Sequence, residues 1–391
     1  MSIPIYFDYN ATTPVDPQVL AAMEPFFTTH FGNPSSNHAY GWAADEAVEQ
    51  ARERLAELIN ADTSNIVFTS GASESVALGM LGAGKVYGEK RNHVITVATE
   101  HKAVLETAQT MERDGFQVTV LPVDRNGLAD LDALSEAVSE RTLMVSIMLG
   151  NNETGVLGPV ADAAEIAHEH GAFLFTDATQ AVGKIPVDVD ALGADLLALS
   201  GHKFYAPKGV GALYVRRKSP RVTLAPLIPG AGQQGGLRGG TLNAPGIVGL
   251  GMAAELAAER LPTEKSRLAV LRDRFEQGVL ARVESAHVNG EGAERLPNTA
   301  SLRFEGLTTK DLLPEMRGLA VSTGSACQTK TSKPSHVLVA MGLSKEQSFG
   351  TIRCSIGHPT TEDEVDAAID EVERAVSAVR NKTAARDYVT T

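Results

Sequence analysis

Between residues 65 and 217 seven short apolar runs alternate with longer polar, helix-forming stretches. They cover Asn65–Thr69, His93–Val97, Gln117–Leu121, Leu143–Met148, Phe173–Thr176, Leu196–Leu199 and Gly211–Val215. Most are apolar throughout rather than at alternate positions, the pattern of strands buried on both faces of a mostly parallel sheet. Amphipathic stretches fill the gaps, for instance Asp130–Ser139 and Val160–Gly171, where a glycine stops the helix. Beyond residue 244 the pattern changes. A long helical stretch runs from Ala244 to Val283, with a break expected at Pro262. A strand follows at Ala300–Phe304, then a helix near Leu312. Near the end Val365, Ile369, Val372 and Val376 share one helix face, opened by Glu362, Asp363 and Glu364, which suit its N-terminal dipole. The last dozen residues are expected to fray. These elements predict an α/β layer architecture. Residues 21–244 form a large domain with a mostly parallel seven-stranded sheet flanked by helices. Residues 1–20 and 245–391 form a smaller α+β domain.

A chain of 391 residues exceeds the size at which one core usually stops growing, which agrees with two domains. Its formal charge of −13, with no basic stripe to offset it, argues against nucleic acid as a partner. No window approaches the ~18 uninterrupted apolar residues of a membrane span. The first residues lead straight into a strand-like segment without a basic leader or signal core, so a cytoplasmic location is expected. Two cysteines, Cys327 and Cys354, are too few for a disulfide framework or a four-thiolate metal site. His168 and His170 lie on different sides of a helix, so they read as a solvated helix end, and no resident metal is expected.

Candidate chemistry collects at the ends of strands. Lys203 follows the run that ends at Leu199, and Asp177 closes the run that begins at Phe173. In an open parallel sheet the ligand crevice lies beyond the carboxyl ends of the strands, which places Asp177, Ser200, His202 and Lys203 together. A lysine amine and a carboxylate in such a crevice are the pair that pyridoxal phosphate (PLP) chemistry requires. The amine forms a Schiff base with the cofactor aldehyde, and the carboxylate holds the pyridine nitrogen protonated. Standing alone, Asp177 reads equally well as a helix cap. Gln180 can donate to the phenolic oxygen. Thr69-Ser-Gly-Ala72-Ser73-Glu-Ser75 joins a strand to a helix and can cradle a phosphate, although many such turns are rich in small residues merely as caps. Ser200 and His202 can add phosphate donors. His101 follows another strand and can stack on a pyridine face. Asn152 can bond the cofactor or substrate, or serve only in a turn.

Arg353, between apolar neighbours, is a candidate clamp for a substrate carboxylate or else an ordinary surface arginine. Gln233–Thr241 is a second glycine-rich loop, able to offer Arg238 or Thr241 to a phosphate of its own site or a neighbour's. Cys327 sits among small residues with Lys330 and Lys333 beyond it, a setting that favours thiolate, whereas Cys354, between Ile352 and Ile356, reads as packing. An electron sink plus a thiol on a mobile stretch points to sulfur chemistry on an amino acid.

With these residues in place the chain resembles the PLP-dependent cysteine desulfurases of fold type I, in the class-V aminotransferase family. The resemblance runs nearly end to end. It rests on Phe7-Asp-Tyr-Asn-Ala-Thr-Thr-Pro14, Phe31-Gly-Asn-Pro-Ser-Ser36, Thr69–Ser75, Glu100-His101, Asn151-Asn-Glu-Thr-Gly155, Asp177-Ala-Thr-Gln180, Ser200-Gly-His-Lys203, Arg238-Gly-Gly-Thr241 and Ser325-Ala-Cys327. The stretch from Cys327 to Gly342 is similar to the long catalytic loop of the iron–sulfur and nitrogen-fixation subclass. The resemblance implies Lys203 as the Schiff-base residue and Cys327 as the nucleophile that accepts sulfur as a persulfide. It implies that Asp177 and Gln180 tune the ring and that His101 stacks on it and moves protons. Phosphate would be held by Ala72, Ser73, Ser200 and His202, with Thr241 reaching across a homodimer interface. Asn10, Ala11, Thr12, Asn152 and Arg353 would orient the substrate, L-cysteine. The implied partner is an iron–sulfur scaffold or another sulfur-acceptor protein, with which Cys327 would transiently ligate a cluster. A selenocysteine lyase, a class-V aminotransferase and a catalytically silent scaffold are the alternative readings. The chain departs from the family at Ala77, Gln234 and Gly239, where Asn, Glu and Ser are frequent. The tail Asn381–Thr391 is unlike the one through which housekeeping members meet their scaffold.

Overall fold

The computed structural model describes residues 3–323 and 333–390, with side chains through residue 382. Cys327 and Lys330 lie outside the described residues. The N-terminal part holds strand β1 (Ile5–Tyr6) and helices α1 (Pro17–Met23), α2 (Pro25–Thr28) and α3 (Ala39–Leu58). The alternating region then supplies β2 (Ile66–Thr69), α4 (Ala72–Tyr87), β3 (His93–Val97), α5 (Lys102–Arg113), β4 (Gln117–Leu121) and α6 (Leu131–Ala137). It continues with β5 (Thr142–Ser146), α7 (Val160–Glu169), β6 (Phe173–Asp177), β7 (Leu196–Ser200) and β8 (Gly211–Val215). The remainder holds α8 (Ala244–Arg282), β9 (Ala286–Val288), β10 (Thr299–Phe304), α9 (Thr309–Leu312), β11 (Leu319–Ala320), α10 (His336–Ala340), α11 (Lys345–Phe349), β12 (Thr351–Ser355) and α12 (Glu362–Thr390).

Seven strands form one sheet in the order β2-β8-β7-β6-β5-β3-β4, parallel except for β8. Both faces are covered. Leu197 and Leu199 of β7 join an apolar cluster with α3, α7 and the start of α8, while Leu196 and Ala198 face a second cluster with α4 and α5. Alternate side chains therefore meet opposite helical layers, and both sets must be apolar, which is why the runs show little alternation. Because β8 is antiparallel to both neighbours, β2 points the same way as β7. The carboxyl ends of β2, β3, β5, β6 and β7 thus share one edge of the sheet.

A third cluster is built from Phe7, the second half of α8, β10, β12 and α12, over a three-stranded antiparallel sheet ordered β12-β10-β9. Strand β1 pairs in parallel with β11. Helix α8 runs through Pro262 without the expected break. Its first half buries Ile247, Leu250 and Ala254 in one core, and its second half buries Leu268, Leu271 and Phe275 in another. The carbonyl that Pro262 leaves unbonded belongs to Ala258, which is exposed to solvent, and packing at both ends keeps the helix continuous. Helix α12 also continues to Thr390 rather than fraying in its last dozen residues. That stretch is rich in Lys, Ala and Arg and contains no Gly or Pro. His168 bonds Asp195 at 2.8 Å and His170 bonds the Ile166 carbonyl, and no metal cluster exists among the described residues.

Candidate active site

At the shared strand edge lies a cavity of about 550 Å³. Asn10, Ala11, Ala72, Ser73, His101, Asn152, Asp177, Gln180, Ser200, His202, Lys203 and Arg353 all line it. Residues far apart in the chain meet here because the topology stacks the strand ends, and each strand exit contributes one or two polar groups. Thr12 stands behind the lining, its hydroxyl 3.1 Å from Nδ1 of His202. Thr241 is not among the lining residues and is exposed.

Lys203 Nζ donates to the backbone carbonyls of Asn10 (2.7 Å) and Ala11 (2.8 Å). Burial, reinforced by Arg353 and opposed by Asp177 and Asp8, lowers its pKa from 10.5 to about 8. A neutral amine is the form that attacks an aldehyde. The rate at which cofactor-free protein captures PLP should therefore rise about tenfold per pH unit and level off above about pH 8. Stopped-flow absorbance checks this, and a plateau reached only near 10.5 would show that the cavity leaves the amine unperturbed.

Asp177 is buried at the end of β6, its Oδ1 accepting the Thr179 N–H at 2.9 Å. The turn bond expected of a cap and the cavity position occur in the same residue. His101 caps α5 through Nδ1, which accepts the Ala103 N–H at 3.1 Å. The neutral ring therefore carries its proton on Nε2. Desolvation lowers the His101 pKa, aided by Lys203 and opposed by Asp177, so the neutral ring prevails. His202 is lowered to about 4, by desolvation and then by Lys203, Lys208 and Lys184.

The residues fit a phosphate-bearing cofactor. No side chain caps the first turn of α4, whose N-cap Gly71 has φ +148°. A Cβ on Gly71 would lie 3.4 Å from Ser200 Oγ, so a larger residue would encroach on the cradle formed by the helix terminus. Glu74 in that turn is pushed up by burial, but Arg238 at 2.9 Å and bonds from Ser70 outweigh this and keep it ionised. Arg238 of the glycine-rich loop is thus committed to Glu74. Gly239 packs back to back on Gly230, where a Cβ would lie 2.5 Å from the Pro229 carbonyl oxygen, so this arrangement leaves no room for the serine common at that position. Gln234 accepts from Arg52 and from the Phe68 N–H, which ties the same loop to β2.

Several partners were not singled out from sequence. Arg353 donates to Asp8 (2.7 Å) and to the Asn152 carbonyl (2.9 Å), so one face of the guanidinium is already held. The Asn10 side chain is occupied by Thr299 and Asn298, leaving its carbonyl as the group that meets Lys203. Glu100 is fully buried, accepts the Met148 N–H at 2.6 Å, and is pushed well above the usual carboxylate range by burial and by Asp177. Ser322 exchanges two backbone bonds with Arg353. On the far side of the undescribed segment, Ser335 bonds Glu153 and Ser348, and His336 donates to the Glu100 carbonyl at 2.9 Å. The expected loop from Cys327 to Gly342 is helical over His336–Ala340, where Ser335 caps α10 and Val337 and Leu338 are buried. Cys354 is buried in the third core, and burial pushes its thiol pKa up.

The aminotransferase class-V family model matches residues 5–368, and the chain belongs to that family. Members that are cysteine desulfurases use PLP, the cofactor this cavity fits. Among curated relatives, cysteine desulfurase IscS of Rickettsia felis is 47% identical over 380 residues, covering 97% of this chain and 92% of that protein. The Rickettsia africae protein of the same name is 46% identical over 381 residues, with 97% and 93% covered. Among solved structures, a NifS-like protein superposes with TM-score 0.89 at 37% identity, covering 96% of this chain and all of that one. SspA in complex with cysteine matches with TM-score 0.80 at 40% identity, covering 90% and 98%.

Proposed function

We propose that the chain is a PLP-dependent cysteine desulfurase, which converts L-cysteine to L-alanine and leaves the sulfur on Cys327 as a persulfide. The observation that carries this reading is a half-buried lysine of lowered pKa sharing a phosphate-accommodating cavity with a strand-end carboxylate, in a chain nearly half identical to proteins of that name. When bound, PLP withdraws electrons from the substrate α-carbon. Asp177 holds the ring nitrogen protonated, and Gln180 donates to the phenolic oxygen. Ala72, Ser73, Ser200 and His202 hold the phosphate. Arg353, Asn152, Asn10, Ala11 and Thr12 would orient the substrate. Lys203, as a free amine, would carry the α-proton, and neutral His101 would stand beside the cofactor ring. The Cys327 thiolate attacks the substrate sulfur. An S–S bond forms, the C–S bond breaks with its electron pair left on carbon, and protonation of that carbon together with return of the α-proton gives alanine.

The wider reading comprises a large domain of residues 21–244 and a small one of 1–20 and 245–391, with α8 shared between them. The chain works as a homodimer, supported by Phe31 and Tyr40 with ring centroids 5.5 Å apart and by Trp42, all more than half exposed. Thr241, exposed and away from its own cavity, then serves the neighbouring site. An iron–sulfur scaffold or another acceptor protein takes the persulfide, with Cys327 ligating a cluster only in passing. Among the described residues no helix is long and apolar enough to cross a membrane, and the cytoplasm is the proposed location.

Purified protein mixed with L-cysteine should form alanine and carry one added sulfur on the peptide containing Cys327, read by mass spectrometry. Alanine without that adduct, or amino transfer to pyruvate, would instead assign a lyase or a transaminase.

A further inference from the structure

Lys184 is a buried lysine that none of these roles uses. It lies in the turn after β6, four residues beyond Gln180, and is 8% exposed. Its Nζ donates to the Gln180 backbone carbonyl (3.0 Å) and to Gln180 Oε1 (2.7 Å). Among the described residues it has no ion-pair partner, and the charges acting on it, Lys203 and Arg353, are both cationic. Burial first, then those two charges, push its pKa well below 10.5. At its other end the Gln180 amide donates through Nε2 to the Asn10 carbonyl (2.9 Å), the same oxygen that receives Lys203 Nζ. Lys184, Gln180, Asn10 and Lys203 therefore form one continuous chain of hydrogen bonds. A second cavity, of about 40 Å³, has both lysines in its wall.

We propose that Lys184 is a positioning residue for the Gln180 amide, fixing it so that a donor rather than an acceptor faces the Lys203 end of the cofactor cavity. An amide turned by half a circle exchanges its oxygen and nitrogen. Here that flip would set Oε1 against the Asn10 carbonyl, two acceptors facing each other, and would remove the oxygen that holds Lys184. The Asn10 end of the lock changes whenever Lys203 leaves its carbonyl to react. The Lys184 end does not change, so it preserves the amide orientation through the cycle. This inference rests on the PLP reading, because the donor matters only if a phenolic oxygen is there to receive it.

The test is a pH titration of the absorbance band of the lysine-bound cofactor in the holoenzyme. A donor on the phenolic oxygen competes for the negative charge that retains the linkage proton. Lys184→Met should therefore raise the titration midpoint by about one pH unit. Gln180→Leu should raise it similarly, and Lys184→Met added to Gln180→Leu should move it no further. An unmoved midpoint in Lys184→Met overturns the proposal. The same shift in both backgrounds also overturns it, since Lys184 would then act by its own charge. If the methionine variant does not fold, Lys184→Gln is compared across the same two backgrounds. A wild-type protein lacking the band altogether would defeat the cofactor reading instead, so the two failures are distinct.

Discussion

Lys203→Ala is expected to abolish the visible band of the lysine-bound cofactor and to lower cysteine turnover on the order of 10³-fold or more. The loss should be chemical rather than structural. Among the described residues Lys203 bonds only two backbone carbonyls, and the Asn10 carbonyl keeps its bond from Gln180 when the amine is gone. The phosphate cradle at α4 is untouched, so PLP should still bind, reversibly, through its phosphate. Among the described residues no other amine is placed to substitute. Lys184 is turned onto Gln180, and Lys208, although it lines the cavity, sits on an exposed turn. Absorbance spectra before and after gel filtration check this. A band that survives filtration would move the covalent attachment to another lysine.

Cys327→Ala should reduce sulfide release from cysteine, in the presence of dithiothreitol, to a similar extent while leaving the cofactor band intact. The chain has two cysteines, so this variant retains only Cys354. That thiol is 1% exposed within the core around β10 and β12, and burial disfavours its nucleophilic thiolate form. Cys354→Ala should show the converse pattern: sulfur transfer retained, stability lowered by about 1 kcal/mol from the lost packing. Native-rate sulfide release by Cys327→Ala would remove Cys327 from the mechanism.

Much of the cavity was legible in the chain because it depends on one rule, that parallel strands present their carboxyl ends to a common edge. Asp177, Ser200, Lys203, His101 and the turn after Thr69 could each be placed from an apolar run and the residue that ends it. Partnerships across the two sheets could not be read in this way. Asp8 and Arg353 are 345 positions apart, and no local pattern marks either as the other's counter-ion. Glu100 stood beside His101 in a recognisable motif, yet its bond from Met148 and its raised pKa beside Asp177 come from the exits of other strands. Lys184 carried one weak signal, its spacing of four from Gln180. Pro262 misled because local propensity predicts a break, whereas two separate cores hold α8 continuous. The helical turn at His336 was hidden by the expectation of a long loop, although Ser335 is a good N-cap.

The N-terminal segment gives the active site an order of manufacture. Asn10 receives Lys203 and Gln180 on its carbonyl, but its own position is fixed by Thr299, Asn298 and Ser355, the last 345 residues further on. A ribosome delivers the first of these groups long before the last. During synthesis the Asn10 side chain and Asp8 must wait for Asn298, Thr299 and Arg353, while the seven-stranded sheet and its strand-end lysine are already out. Cofactor can meet Lys203 in that interval, but the wall behind the lysine closes only after residue 355 has emerged. A chain truncated before residue 355 would therefore lack a contact that fixes Asn10 behind Lys203.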